Sequence, residues 1–241
     1  SNCVYYSTSP DEILWAGAES YSNSSNSAAG YHTGMLHPYT VSMDLAAVYQ
    51  QDVDNGITDI RGDYGNNADT YGNTFPSTYL KQGRAWNAET SAYDYWIAAV
   101  VKGNSGTTTG LTYNGGVRTA EMYLIRAEAA IRLYIETGTR SYAESALQDL
   151  NTLREHRFEA GYVVKELSAF ASGEELLDFC LRERRRELCG EGNHRWFDLR
   201  RTGMPQITHV YVDDSGYETT FTLQQGDSRY ALPIPEGIIR R

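Results

Sequence analysis

The chain has 241 residues, of which 41% are hydrophobic, and a formal net charge of −10 at pH 7. This length and composition are typical of a globular protein with a full core, in one or two domains. No apolar run approaches the roughly 20 residues that a membrane-spanning helix needs. The acidic balance disfavours a nucleic-acid partner, because affinity for a phosphate backbone rests largely on cationic contacts.

The first 117 residues have few periodic signals and are rich in Gly, Asn, Asp and Tyr after residue 51. Short apolar runs predict strands at 12–15 and 93–101, the second of them buried. A helix is predicted over 42–50, with Ser42 as its N-cap. Residues 52–56 resemble the start of a calcium loop, but the spacing is one residue short and the closing Glu is missing, so an ordinary turn is favoured.

Two helices at 118–136 and 142–157, joined by the short segment 137–140, predict a helical hairpin. The first helix is apolar on nearly every side, which predicts a central position. The second has its apolar residues at helical spacing. We expect contact between the two through Leu124, Ile131, Leu147 and Leu150.

A third long helix is predicted to begin after Ser172, because Glu175 three residues later completes a capping-box pattern. Gly190 is a plausible C-cap. A short helix at 194–201 follows and carries Trp196. Further on, apolar and β-branched runs at 210–212 and 219–223 flank the turn-forming residues 213–216 and predict a β-hairpin.

The charges of the third helix are unusual because they fall on its apolar stripe. Arg184 has helical spacing to the stripe leucines, and Glu187 lies at the edge of the stripe. Glu121 and Glu128 occupy the same kind of position on the first long helix. We therefore predict a structural ion network in which Arg184 is largely buried and bonded to Glu121, Glu128 or Asp198.

Several blocks in the second half of the chain resemble the SusD/RagB family. They are RTAEMYLIRAEA at 118–129, Asn151 with Leu153 and Arg154, ERRREL at 183–188, EG at 191–192, RW at 195–196, DLRR at 198–201 and YALPIP at 230–235. Weaker resemblances to the family lie at 12–14 and 59–61. Members of this family are glycan- and nutrient-binding lipoproteins of the bacterial outer membrane.

The resemblance implies a mainly α, SusD-like fold with a tetratricopeptide-like helical hairpin, long irregular loops and a small β element. We expect a single domain over 1–241, with a loop-rich and possibly ligand-facing part at 1–117. The helical scaffold would occupy 118–203, with Trp196 in its core, and a β-hairpin and tail would occupy 204–241. Family members are longer and begin with a lipid-modified cysteine, so the chain resembles a C-terminal portion.

The function implied by the resemblance is non-catalytic binding of a glycan or similar nutrient at the bacterial cell surface. The expected partners are an oligosaccharide and a SusC-like TonB-dependent outer-membrane transporter, with no cofactor and no nucleic acid. Membrane attachment would occur only through an N-terminal lipid anchor that this chain lacks. The alternatives are a repeat-type protein–protein scaffold and a glycosidase.

The residues suggested for glycan contact are aromatics in polar loops, since the C–H face of a pyranose packs on an aromatic ring. These residues are Tyr31, Tyr64, Tyr71 and Trp86. The alternative is that each covers only its own loop. For a glycosidase, the i,i+4 pair Glu187 and Glu191 is the nearest candidate, but flanking arginines lower a carboxyl pKa whereas an acid catalyst needs it raised.

Overall fold

The computed structural model describes residues 13–15, 42–49, 51, 57–62, 80–100, 117–189, 194–212 and 217–231. The chain divides into two compact units, residues 1–192 and 193–241. The described residues are mainly helical and are accompanied by small two-stranded sheets, which confirms the predicted fold class.

The elements follow one another as short strands and longer helices. In chain order they are β1 (Ile13–Trp15), α1 (Met43–Val48), β2 (Leu80–Asn87), β3 (Ala92–Val100), β4 (Val117–Arg118), α2 (Thr119–Thr137), α3 (Arg140–Glu155), α4 (Gly173–Leu188), α5 (His194–Arg201), β5 (Ile207–Val212) and β6 (Glu218–Leu223). The strands pair antiparallel as β1 with β4, β2 with β3, and β5 with β6. None of the helices among the described residues combines the length and the apolar character needed to cross a membrane.

The predicted helical hairpin is confirmed as α2 and α3. The first helix ends because Gly138 adopts φ 69°, a left-handed conformation that favours glycine, and its N–H donates to the carbonyl of Tyr134 at 2.8 Å. The two helices run antiparallel, since Arg126 Nε, well before the turn, donates to Asp149 Oδ2, well after it, at 2.7 Å.

Helices α2, α3 and α4 enclose one apolar core in the first unit. It contains Ala120, Leu124, Ala127, Ile131, Ala143, Ala146, Leu147, Leu150, Leu153, Leu176, Phe179, Cys180 and Leu188. The start of α4 approaches the end of α2 closely at Gly173, where a Cβ would lie 2.6 Å from Ile135 Cγ1. The four leucine and isoleucine positions expected to join α2 and α3 all belong to this core.

Helix α2 packs against both α3 and α4, which confirms its predicted central position, but it also has a second apolar face that is exposed. Met122, Ile125 and Leu133 are all exposed, the last at 41%. At about 100° per residue, Met122 and Leu133 point to the opposite side from Leu124 and Ile131, and Ile125 points roughly 110° away from them. Ile135, one turn after Ile131, is exposed as well. The core therefore covers only one side of α2 in the described structure.

The predicted N-caps of α4 and α1 are confirmed. Ser172 Oγ accepts from the Glu175 N–H at 3.2 Å, while Glu175 Oε2 accepts from the Ala171 N–H at 2.6 Å, so a carboxylate and a hydroxyl satisfy N–H groups at the start of α4. Ser42 Oγ accepts from the Leu45 N–H at 3.2 Å. Helix α4 ends at Leu188 with Cys189 as its C-cap, and Gly190 lies outside the described residues.

The strand predictions are confirmed for β1, β3 and the β5–β6 hairpin. The side chains of β3, whose burial was predicted, and the turn at 213–216 lie outside the described part of the structure. In the second unit α5 has the predicted bounds. Trp196 is half-buried there and its ring stacks on Tyr230 with centroids 5.0 Å apart, while the Tyr230 hydroxyl donates to the carbonyl of Pro205. This stacking and the buried Leu199 form the core of the second unit.

Replacing Leu147 by Ala should lower the free energy of unfolding by about 2–5 kcal/mol, because Leu147 is 4% exposed in the shared core and its removal leaves a cavity. Leu133→Ala, on the exposed face of α2, is the control and should change stability by less than about 0.5 kcal/mol. Urea denaturation followed by circular dichroism measures both. Equal losses in the two variants would contradict the assignment of the core face.

Candidate functional site

Two carboxylates on α4, Glu183 and Glu187, lie at the centre of a buried ion network. Both are 0% exposed, and they lie one helical turn apart on the same side of α4. Their partners are guanidinium groups from the turn at Ile60–Gly62, from β4, from the end of α3 and its following turn, and from α4 itself. These are Arg61, Arg118, Arg154, Arg157 and Arg186, all buried.

Glu187 binds three of these arginines. Its Oε1 accepts from Arg118 Nη1 at 3.1 Å and from Arg157 Nη2 at 3.2 Å. Its Oε2 accepts from Arg61 Nη1 at 2.9 Å and from Arg157 Nε at 3.1 Å. Four donors thus surround one carboxylate, so the cost of removing its charge from water is offset by charge-assisted hydrogen bonds.

Glu183 binds a second set of arginines. Its Oε2 accepts from Arg154 Nη1 at 2.7 Å and from Arg186 Nη1 at 3.1 Å. Arg61 Nη2 lies 2.7 Å from its Oε1. Arg61 therefore links the two glutamates of α4.

Arg61 also forms a two-pronged pair with Asp59. Its Nε donates to Asp59 Oδ1 at 2.9 Å and its Nη2 to Oδ2 at 2.7 Å. The segment is fixed further by backbone bonds, from Ile60 N–H to the Arg157 carbonyl at 3.0 Å and from Glu159 N–H to the Thr58 carbonyl at 3.1 Å. The short turn at Ile60–Gly62 is thereby held against the chain that follows α3.

Arg154 is enclosed by aromatic rings as well as by its ion pair. Its guanidinium carbon lies 4.3 Å from the ring centre of Phe158 and 5.0 Å from that of Phe179. Its Nε donates to the Tyr162 hydroxyl at 3.0 Å, which in turn donates to Asn151 Oδ1 at 2.7 Å. The Asn151 and Arg154 block thus positions the end of α3 rather than a ligand.

Arg186 and Tyr49 connect α1 to α4. Arg186 Nε donates to the Val48 carbonyl at 2.9 Å and Nη2 to the Gln51 carbonyl at 2.8 Å, which satisfies carbonyls at the end of α1. The Tyr49 hydroxyl donates to the Arg186 carbonyl at 2.8 Å. Gly62 is required beside this ring, because a Cβ there would lie 2.4 Å from Tyr49 Cβ.

The arginines keep both glutamates ionised. Burial raises the pKa of Glu183, but the charges of Arg61, Arg154 and Arg186 outweigh it and lower the pKa to about 2. Burial also raises the pKa of Glu187, and Arg157, Arg118 and Arg61 together lower it well below its usual range. Carboxylates in this state hold arginines in place and are poorly suited to donate a proton near neutral pH.

The residues predicted for the ion network occupy different places. Glu187 lies at its centre, and Arg184 is 7% exposed. Glu128 pairs with Arg132 at 2.8 Å on its own helix, and Asp198 pairs with Arg201 at 2.8 Å on α5. Glu121 is half-buried in the first turn of α2.

Sequence reasoning missed Glu183 and the five buried arginines as members of the network. Arg118, Arg154, Glu183 and Arg186 all fall inside the family-like blocks, and Arg61 falls inside the weaker resemblance at 59–61. The blocks were therefore the available signal, although their pairing needs the fold.

Of the aromatics suggested for glycan contact, Tyr31, Tyr64 and Tyr71 lie outside the described residues. Trp86 lies in strand β2, not in a loop as predicted. The physical reason is strand pairing: β2 pairs with β3 along its whole length, with one irregularity between Lys81 and Gln82, and this pairing overrides the loop-forming tendency of Gly83 and Asn87. Residues 52–56 and Glu191 also lie outside the described residues.

In the part of the chain that the structure describes, no group of three or more His, Cys, Asp or Glu side chains could hold a metal ion. An open groove of about 440 Å³ beside α3 is lined by Gln148, Asn151, Lys165 and neighbouring residues. Asn151 already bonds the backbone of Lys165 in both directions at 2.9 Å, and none of the groove's lining residues is aromatic.

A sequence profile described as the SusD family matches residues 12–241. The chain belongs to the SusD family. A crystal structure of a SusD-like protein from Bacteroides fragilis is similar, with a TM-score of 0.51 and 17% sequence identity. The alignment covers 99% of this chain and 54% of that one, so this SusD family member spans about half the length of the structure it matches. No curated protein gives a significant match to the sequence.

Glu187→Gln should lower the free energy of unfolding by about 3–5 kcal/mol, because it leaves the guanidinium groups of Arg61, Arg118 and Arg157 buried without a full counter-charge. The matched control is Glu144→Gln, which removes the exposed partner of Arg140 and should cost less than about 1 kcal/mol. Guanidinium chloride denaturation compares the two. An equally small loss of unfolding free energy for Glu187→Gln would contradict a stabilising role for the network.

Stability should fall steeply in acid. Because the folded pKa of Glu183 is depressed to about 2 from an ordinary value of 4.5, its contribution is complete above pH 4.5 and is lost as the pH falls towards 2. The midpoint of urea unfolding, measured from pH 7 to pH 2, should drop through this window. In Glu183→Gln that part of the drop should be smaller, whereas an unchanged pH profile would contradict the assignment.

Proposed function

We propose that this SusD family member binds a glycan or similar nutrient at the bacterial cell surface and delivers it intact to a SusC-like TonB-dependent transporter. The family match over residues 12–241 carries this proposal. The SusD family is one of glycan- and nutrient-binding proteins, typically lipid-anchored at the outer membrane. We propose the same location and anchoring for the full-length protein.

The buried ion network supports a non-catalytic role. The charge-rich block at 183–188 would be the first place to look for acid–base chemistry, yet Glu183 and Glu187 are inaccessible and ion-paired with arginines. The pKa of Glu187 is lowered by those arginines, whereas a glycosidase acid needs a raised one. A structural role therefore explains the charged residues of this block.

For the glycan contact we propose the end of the β2–β3 hairpin next to its turn. Trp86 is the register partner of Tyr93, and Arg84 is the partner of Tyr95. The ladder thus brings three aromatic residues and one arginine to neighbouring register positions. These residue types suit a pyranose, whose C–H face packs on rings and whose hydroxyls accept from a guanidinium group.

A protein-binding scaffold is the second candidate, and one observation favours it. Met122, Ile125 and Leu133 form an exposed apolar stripe along α2, which is a surface suited to another protein rather than to a sugar. Glycan affinity separates the two candidates, since a pure scaffold would have none.

Calorimetry against a panel of bacterial, plant and host glycans tests the proposal. We expect binding in the micromolar to millimolar range, roughly −8 to −4 kcal/mol, because a delivery protein must release its cargo. Trp86→Ala should weaken the affinity about three- to tenfold through loss of stacking. Tyr142→Ala, an exposed aromatic on α3, is the control and should bind normally.

Three results would contradict parts of this proposal. Unchanged affinity in Trp86→Ala would remove Trp86 from the site. Shortened products on chromatography would overturn the non-catalytic role. A full-length protein that binds no member of the panel would argue against glycan capture and leave the scaffold as the better explanation.

A further inference from the structure

The β5–β6 hairpin of the second unit carries two aromatic rings and an imidazole on one face. In its register His209 is opposite Phe221, Tyr211 is opposite Thr219, and Ile207 is opposite Leu223. Side chains of directly opposite residues point to the same side of an antiparallel pair, and every second residue shares that side. These six residues therefore form one surface, which we call the hairpin face.

The outer part of the hairpin face is open to solvent. Phe221 is 60% exposed and Tyr211 is 48% exposed, and His209 between them is exposed as well. Ile207 and Leu223, at the other end of the pair, are half-buried. Single exposed apolar side chains are ordinary, but neighbouring rings on one face form an apolar patch that gains free energy when a ligand covers it.

The chemistry of the hairpin face limits what can cover it. None of its six residues is a carboxylate, an ammonium or a guanidinium group, in a chain whose net charge is −10. Its polar groups are the Tyr211 and Thr219 hydroxyls and the His209 ring nitrogens, which both donate and accept hydrogen bonds. Flat apolar rings bordered by uncharged hydrogen-bonding groups are complementary to the two faces of a neutral sugar ring.

We propose that the hairpin face is a second saccharide-binding surface, which takes an uncharged pyranose unit on Phe221 and Tyr211. His209 and Thr219 would bond its hydroxyl groups. This inference rests on the proposed function and adds a contact distinct from the one proposed at the β2–β3 hairpin. Directly opposite and diagonal residues lie about 5–8 Å apart in such a ladder, so both rings can engage one oligosaccharide.

A protein partner fits the hairpin face less well. A stable protein interface buries about 800 Å² on each partner, contributed by some 20–30 residues. The hairpin face offers six residues, and the opposite face of the same strands presents Val210 together with the threonines Thr208, Thr220 and Thr222.

The test is a titration of the chain with neutral hexasaccharides of glucan, mannan and xylan type, followed by NMR of the aromatic ring signals. Binding should shift the ring signals of Tyr211 and Phe221. Phe221→Ala and Tyr211→Ala should each weaken the affinity by about two- to tenfold. The matched control is Val210→Ala, which alters an equally exposed residue on the opposite face and should leave the affinity unchanged. Thermal melting confirms that each variant remains folded.

The outcomes distinguish this inference from the proposed function. If a hexasaccharide binds and Trp86→Ala weakens it, while the Tyr211 and Phe221 signals and both hairpin variants show no effect, the inference is overturned and the function stands. If neither the chain nor the full-length protein binds any sugar, both fail. If light scattering shows self-association that Phe221→Ala abolishes and no sugar shifts the rings, the face is a protein contact and the inference is overturned.

Discussion

The first unit depends on the ion pairs of one guanidinium group, that of Arg61. It binds Asp59 beside it in the chain and Glu183 and Glu187 on α4, with no exposure to solvent. Burial lowers the pKa of Arg61, but the three carboxylates raise it well above its usual value, so the charge persists. Removing that one group would leave three buried carboxylates with less counter-charge than their burial requires. The ion network around Arg61 therefore fixes the relative positions of the turn at Ile60–Gly62, α4 and the end of α3.

Such a network gives specificity rather than a large net stability. Taking ions out of water costs several kcal/mol each, and their attraction recovers this only when the geometry is good. Arginine suits the role because its planar fork offers five donors, as in the two-pronged bond from Arg61 to Asp59. Apolar packing of α2, α3 and α4 supplies most of the stabilisation, and the ion pairs determine which segments meet.

Local patterns predicted most of the fold, while the pairing of one segment with another escaped them. The hairpin of α2 and α3 and the cap at Ser172 follow from helical spacing and from residues a few positions apart. The strand β2 was missed because its Gly83 and Asn87 favour turns, and only β3 makes it a strand. The partners of Glu187 could not be found from spacing, since Arg61, Arg118 and Arg157 are 126, 69 and 30 residues away. The aromatic face of the β5–β6 hairpin depends on exposure, which a sequence does not give.

The separation between the members of the ion network also sets an order of folding. Helices α2 and α3 are adjacent in the chain and can pair once both exist, because closing a two-residue connection loses little entropy. Arg61 and Arg118 meet Glu187 only across 126 and 69 residues, so these contacts belong to the slow, non-local class. During synthesis from the N-terminus, the side chains of Asp59 and Arg61 remain solvated until α4 has been made. The ion network of the first unit can therefore form only after residue 187 has left the ribosome. Until then, the segments made earlier are accessible to proteases and chaperones.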